Sequence, residues 1–98
     1  LNSHFLHIKE SATAEGRTII TMRLAEEVTF LNKGAIKKQF DNVPNGSVVI
    51  IDKSPCVFIN HDVQEYLQEF AATAAERDIS VEFIENEAPI NQPQLSAA

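Results

Sequence analysis

Asn60, His61 and Asp62 stand side by side where an apolar run, residues 57–59, gives way to a helical pattern. Residue types like these can cap a helix, ligate a metal, mark a phosphorylation switch or shuttle a proton. A transition-metal site needs three or four converging ligands. The only other imidazoles are His4 and His7, and on a strand their spacing puts them on opposite faces. No metal site is expected. An acid/base pair of His61 and Asp62 is also not expected, because adjacency in sequence does not aim two side chains at one substrate.

Cys56 is the sole cysteine, so neither an internal disulfide nor a cysteine-based zinc site can form. It lies in the apolar stretch "PCVFI", where packing is the expected role despite the nearby Lys53. No G-x-S-x-G elbow and no glycine-rich phosphate loop occurs, and there are three glycines in all. Glu26 with Glu27, and Glu85 with Glu87, read as solvated charge at element ends. The expectation is a non-enzymatic domain without a cofactor.

The 98 residues suit one domain, and 44% hydrophobic content supplies one modest core. Eight Lys and Arg against fourteen Asp and Glu give a net charge of −6. Nucleic acid is therefore not an expected partner, since phosphates need clustered cations. The longest strictly apolar run, residues 48–51, is far too short to span a bilayer. The only methionine is Met22. The expectation is a piece of a longer protein.

Several elements can position the 60–62 residues. Residues 4–11 and 18–24 alternate in hydropathy and flank the turn "AEGR", which predicts a hairpin. Residues 28–32 read as a short strand. Ile36, Phe40 and Val43 share one helical face, which predicts a helix over 33–43 with Asn32 as N-cap. Gly34 weakens that helix unless a ligand or partner approaches its backbone. "PNG" at 44–46 turns the chain into "SVVIID", a run expected to form a central strand buried on both faces. Pro55 breaks the next stretch. Val63, Tyr66, Leu67, Phe70 and Ala74 form a stripe, which predicts a second helix over 62–77. Asp62, with Glu65 three residues on, is its expected cap. "ISVEF" at 79–83 reads as the last strand. The predicted fold is α/β, a mixed, mostly parallel sheet of four to five strands with helices packed on it. Residues 1–85 form the domain and 86–98 a flexible tail.

In such sheets, ligands and partners meet the carboxyl ends of strands. The expected contact residues are therefore Asn32, Lys33, Asp52, Lys53, Asn60, His61 and Asp62.

Residues 28–85 resemble a STAS domain, in particular the kind at the C-terminus of bacterial SulP-family anion transporters. "TFLNKG" (29–34), "VVIID" (48–52), "FINHDV" (58–63) and "ERDISVEF" (76–83) follow the family's segments in order. The last corresponds to an "R-G-I-x-V"-like pattern, and "FINHDV" to an "F-I-D-S-S-G"-like step. On that step the family Asp falls on Asn60, the two serines on His61 and Asp62, and the Gly on Val63. The phospho-acceptor serine of regulators that antagonise anti-sigma factors is thus Asp62 here, and a serine switch by that route is excluded. Asp62 carries one fixed charge, less than the about −1.5 to −2 of a phosphate. The resemblance implies a regulatory domain on the cytoplasmic side of the bacterial inner membrane, part of an integral membrane transporter of an inorganic anion such as sulfate. Its implied partners are the transmembrane part of the same protein, acyl carrier protein or another cytosolic protein, with a homodimer also allowed. The alternative it implies is a stand-alone regulator that binds a kinase or sigma-factor regulator.

Overall fold

Ile20, Met22 and Leu24 are buried while their neighbours along the chain are less so, as a half-buried strand requires. They belong to strand β2 (Thr18–Leu24), which pairs antiparallel with β1 (Leu6–Ala12) as the predicted hairpin. The computed structural model describes residues 5–85. The expected tail, along with His4, lies outside them.

The chain continues through β3 (Glu27–Val28), a 3-10 turn (Phe30–Asn32), α1 (Lys33–Asp41), β4 (Val48–Asp52), β5 (Phe58–Ile59), α2 (His61–Thr73), a second 3-10 turn (Ala74–Arg77) and β6 (Ser80–Ile84). The main sheet has the order β1-β2-β4-β6, and β3 with β5 forms a separate parallel ribbon. Within the main sheet β2–β4 and β4–β6 are parallel. The architecture is α/β with a mixed, mostly parallel four-stranded sheet and two helices packed on it.

Both helices cover the same face of the sheet. Ile36 and Phe40 of α1, Val63, Leu67 and Phe70 of α2, and Val49 and Ile51 of β4 join one buried cluster with the apolar face of β2. Phe40 is its aromatic centre. Its ring stands edge-on to Phe70 at 4.7 Å and to Tyr66 at 5.8 Å between centroids. Burial on both faces, expected for β4, is not found. Val49 and Ile51 are fully buried, whereas Val48, Ile50 and Asp52 are half-buried on the face that neither helix covers. Two helices of 9 and 13 residues form one layer, and one layer dries one side of a sheet.

The turn between α1 and β4 is fastened from two directions. Arg17 Nε donates to the Gly46 carbonyl at 2.9 Å, and its Nη2 donates to the Ser47 carbonyl at 3.2 Å. Arg77 donates to the carbonyls of Phe40 and Val43 and to Asn45 Oδ1. Gly46 adopts φ +87°, a backbone conformation that favours glycine. The buried Ser47 hydroxyl donates to the Pro44 carbonyl at 2.7 Å.

Residues 28–32 are not one strand. The Asn32 side chain accepts from the Thr29 backbone N–H at 2.8 Å and from its hydroxyl at 3.3 Å. This closes a 3-10 turn after only two β residues. Asn32 therefore faces back into the turn and makes no side-chain cap on α1. Helix α1 ends at Asp41, two residues earlier than predicted, while Val43 still packs in the core. Around Gly34, a Cβ would meet open space among the described residues, so no contact within the chain requires a glycine there. Gly34→Ala is expected to raise stability by about 0.5–1 kcal/mol. A urea titration reads this directly, and an unchanged midpoint would contradict it.

Candidate interaction site at the strand-to-helix corner

The start of α2 is built by Asn60. Its backbone is extended (φ −57°, ψ 142°), and Oδ1 accepts from the N–H groups of Asp62 at 2.9 Å and Val63 at 3.1 Å. Two orphan donors of the first turn are satisfied by one side chain. The Asn60 N–H donates to the Val28 carbonyl at 2.8 Å, which ties the cap to the β3–β5 ribbon. The expectation that Asp62 caps the helix is thus corrected: the cap lies two residues earlier, and the helix begins at His61. Its α-helical part ends at Thr73, with a 3-10 turn completing the stretch to Arg77. Asp62 is exposed in the first turn, where its charge meets the positive end of the helix dipole.

Asn60→Ala is expected to cost about 1 kcal/mol, in the range of lost N-caps, while Asp62→Ala costs no more than about 0.5 kcal/mol. Thermal melts of the two variants side by side decide between them. Equal losses would return the cap to Asp62.

His61 is exposed, with Nε2 3.1 Å from Glu65 Oε2 one turn along the helix. This is a solvated surface pair, a class worth little to stability. The corner therefore brings together an amide cap, an imidazole and two carboxylates, all on half-buried or exposed residues.

Asn32 and Lys33 adjoin the same region, because the turn Phe30–Asn32 packs against α2. Asp52 and Lys53 do not share it. Lys53 is held at the end of β6: its backbone N–H donates to the Ile84 carbonyl at 2.7 Å. Its Nζ lies 3.5 Å from Glu85 Oε1 and 5.3 Å from the Phe83 ring centroid. Asp52 accepts at Oδ1 from the Ser54 N–H and hydroxyl, at 2.9 and 2.6 Å, and Oδ2 lies 3.9 Å from Arg23 Nε.

Burial alone would raise the Asp52 pKa. The two Ser54 hydrogen bonds and the Arg23 charge outweigh it, and the carboxyl sits below its usual range. A lowered folded-state pKa adds stability above the unfolded value of about 3.9 and loses it as pH falls through the folded value. Ser54→Ala should therefore move the acid-side loss of stability to higher pH. An NMR titration of the Asp52 carboxyl in both chains checks this, and identical midpoints would refute it. At Cys56, burial pushes the thiol pKa up, so it is a poor nucleophile and packs against the core. Burial, followed by the nearby Asp41 carboxylate, pushes the Tyr66 hydroxyl to about 12.

The most conspicuous feature of the corner is apolar. Leu31 is 88% exposed, Val57 82%, Phe30 58% and Phe58 50%. They come from the two sides of one ribbon. Phe58 pairs with Glu27 and Ile59 with Val28, and the N–H groups of Val57 and Phe58 both donate to the Glu26 carbonyl. The ribbon leads directly into the turn carrying Phe30 and Leu31 on one strand and into Asn60 on the other. Large apolar groups gathered on a surface mark contact sites more often than isolated ones do. Sequence reasoning missed these four side chains. The available signal was the short Thr29-to-Asn32 spacing, whose side chains can close a local turn and so interrupt an apolar run.

No family model and no curated protein matches this chain. Among the described residues, no group of three or more His, Cys, Asp or Glu could hold a metal ion, and no helix is long and apolar enough to cross a membrane.

Proposed function

We propose that this chain is a STAS-type regulatory domain of a SulP-type inorganic anion transporter, held on the cytoplasmic side of the bacterial inner membrane. It acts without catalysis, through protein contacts at the strand-to-helix corner. The observation that carries the contact reading is the exposure of Phe30 and Leu31 in the turn that packs against α2, with Val57 and Phe58 exposed on the other strand of the same ribbon. Side chains of this size left in water cost solubility, and covering them with a partner recovers apolar burial of about 25 cal/mol per Å².

The transporter assignment rests on the ordered resemblance of 28–85. One backbone detail supports it. The glycine place of the "R-G-I-x-V"-like segment falls on Asp78, and Asp78 adopts φ +58°, a left-handed conformation that favours glycine.

The first test is the gene. The reading frame upstream of Leu1 should encode repeated apolar segments of about 20 residues. A frame that starts close to Leu1 would remove the transporter reading. The second test is anion uptake into vesicles by the full protein. Leu31→Ser combined with Val57→Ser should alter uptake at equal membrane content, and unchanged uptake would remove the contact role of the patch.

The stand-alone regulator is the second reading. The exposed first turn of α2 leaves His61 and Asp62 open to such a partner, although Asp62 removes the serine switch of that group. Capture of a kinase-like partner by the wild-type chain, changed in Asp62→Ser, would select it.

A further inference from the structure

The face of the main sheet that neither helix covers, among the described residues, carries an ordered charge pattern. Register fixes its rows: His7–Arg23–Asp52–Ile84, Lys9–Thr21–Ile50–Glu82 and Ser11–Ile19–Val48–Ser80, each read from β1 to β6. The β1–β2 half bears His7, Lys9 and Arg23. The β4–β6 half bears Asp52 and Glu82. Between them lie the half-buried Ile19, Thr21, Val48 and Ile50. Among the described residues, the buried helical side chains all join the cluster on the opposite face.

We infer that this face pairs with the same face of a second copy, about a two-fold axis running along the strands. Such an axis reverses the strand order without changing the rows. It sets β1 of one copy over β6 of the other, and β2 over β4. Lys9 then faces Glu82 twice, once on each side of the axis. Arg23 faces Asp52, Ile19 faces Val48 and Thr21 faces Ile50. A two-fold axis across the strands would instead set Lys9 over Lys9 and Glu82 over Glu82. Charge complementarity therefore selects both the occupant and its orientation. Aligned sheets pack within about 30° of parallel at a separation of about 10 Å, a gap that the long Lys9 and Glu82 side chains span.

Strand spacing of about 4.8 Å and a rise of about 3.3 Å make the face roughly 20 by 17 Å. That footprint is a few hundred Å² per copy, below the ~800 Å² per partner of a standard interface. Each chain also carries a net charge of −6, so the pair forms against long-range repulsion. The dimer is correspondingly weak and forms only at high concentration.

Sedimentation velocity of the 98-residue chain from about 5 µM to 1 mM tests this. The expected mass rises with concentration from 10.9 kDa toward twice that value. Lys9→Glu and Glu82→Lys should each hold the chain monomeric, because each puts like charges at both symmetry-related contacts. Mixing the two single variants should restore the dimer as a heterodimer, and the doubly swapped chain should dimerise with itself. Both positions are exposed on edge strands, and circular dichroism of each variant verifies the fold. Leu31→Ser, on the ribbon patch, should leave dimerisation unchanged, which separates this inference from the proposed contact role of that patch. A chain that stays monomeric up to 1 mM, single variants that still dimerise, or a mixture that fails to recover the dimer would overturn it.

Discussion

Replacing Phe40 with alanine is expected to cost about 3–5 kcal/mol, the largest effect of any single substitution considered. Its ring, on α1, is fully buried, stands edge-on to Phe70 and Tyr66 of α2, and joins the core cluster that includes the sheet. Truncation removes the transfer free energy of the ring and leaves a cavity between three elements that cannot all close on it. Domains of this kind hold only about 5–15 kcal/mol in total. For a chain of this size each kcal/mol shifts the melting temperature by about 4–8 °C, so the midpoint should fall by well over 10 °C. Phe40→Leu keeps most of the volume and should lose substantially less. Thermal denaturation followed by far-UV circular dichroism checks both. A fall below about 5 °C in Phe40→Ala would show that the two helices do not share one core at this ring.

Arg77→Ala should cost about 2–3 kcal/mol although Arg77 is only half-buried. The guanidinium reaches back across more than thirty residues to the Phe40 and Val43 carbonyls and to Asn45 Oδ1. It serves as a C-terminal cap for α1 supplied from the 3-10 turn that follows α2. The positive charge also sits at the negative end of the α1 dipole. Val43 is 3% exposed, so removal of Arg77 leaves its carbonyl with little access to water. Lysine keeps the charge but not the planar fork, and Arg77→Lys should recover less than half of the loss. Full recovery by lysine would mean that charge alone, and not the several directed hydrogen bonds, holds the turn. Urea unfolding of the three chains gives the comparison.

Where pattern and packing agree, the sequence is easy to read. β2 could be placed from the alternation of Ile20, Met22 and Leu24, because only one face of that strand is dry. β4 was recognisable as a strand from its β-branched run, but composition cannot say how many faces helices will cover. Val48 and Ile50 look as core-like as Val49 and Ile51 when read as letters. The α2 cap was misplaced by two residues because Asp62 and Glu65 carry the spacing of an acidic capping box, while Asn60 reads as the end of a strand. The decision was made by ψ at Asn60, which no local pattern reveals. The contact patch was the least legible part. Phe30, Leu31, Val57 and Phe58 differ in no sequence property from buried residues, and they are exposed because the ribbon is two residues long and has no helix of its own. Of the seven expected contact residues, the 60–62 corner and the pair Asn32–Lys33 lie in one neighbourhood. Asp52 and Lys53 are drawn away by Ser54, Arg23, Glu85 and Phe83, partners at the carboxyl ends of β2, β4 and β6.

The main sheet is unequal in its protection. β4 has a hydrogen-bonded neighbour on each side, whereas β1 is an edge strand in which only Leu6 is buried. Amide protons of β4 should therefore exchange only through global unfolding, and those of β1 through small local openings. His7 and Lys9 belong to that margin, so two of the three basic groups on the sheet face depend on a strand held from one side only. Mild warming would loosen β1 while the helices, β2 and β4 still hold, which makes recognition by this face more sensitive to temperature than the fold itself.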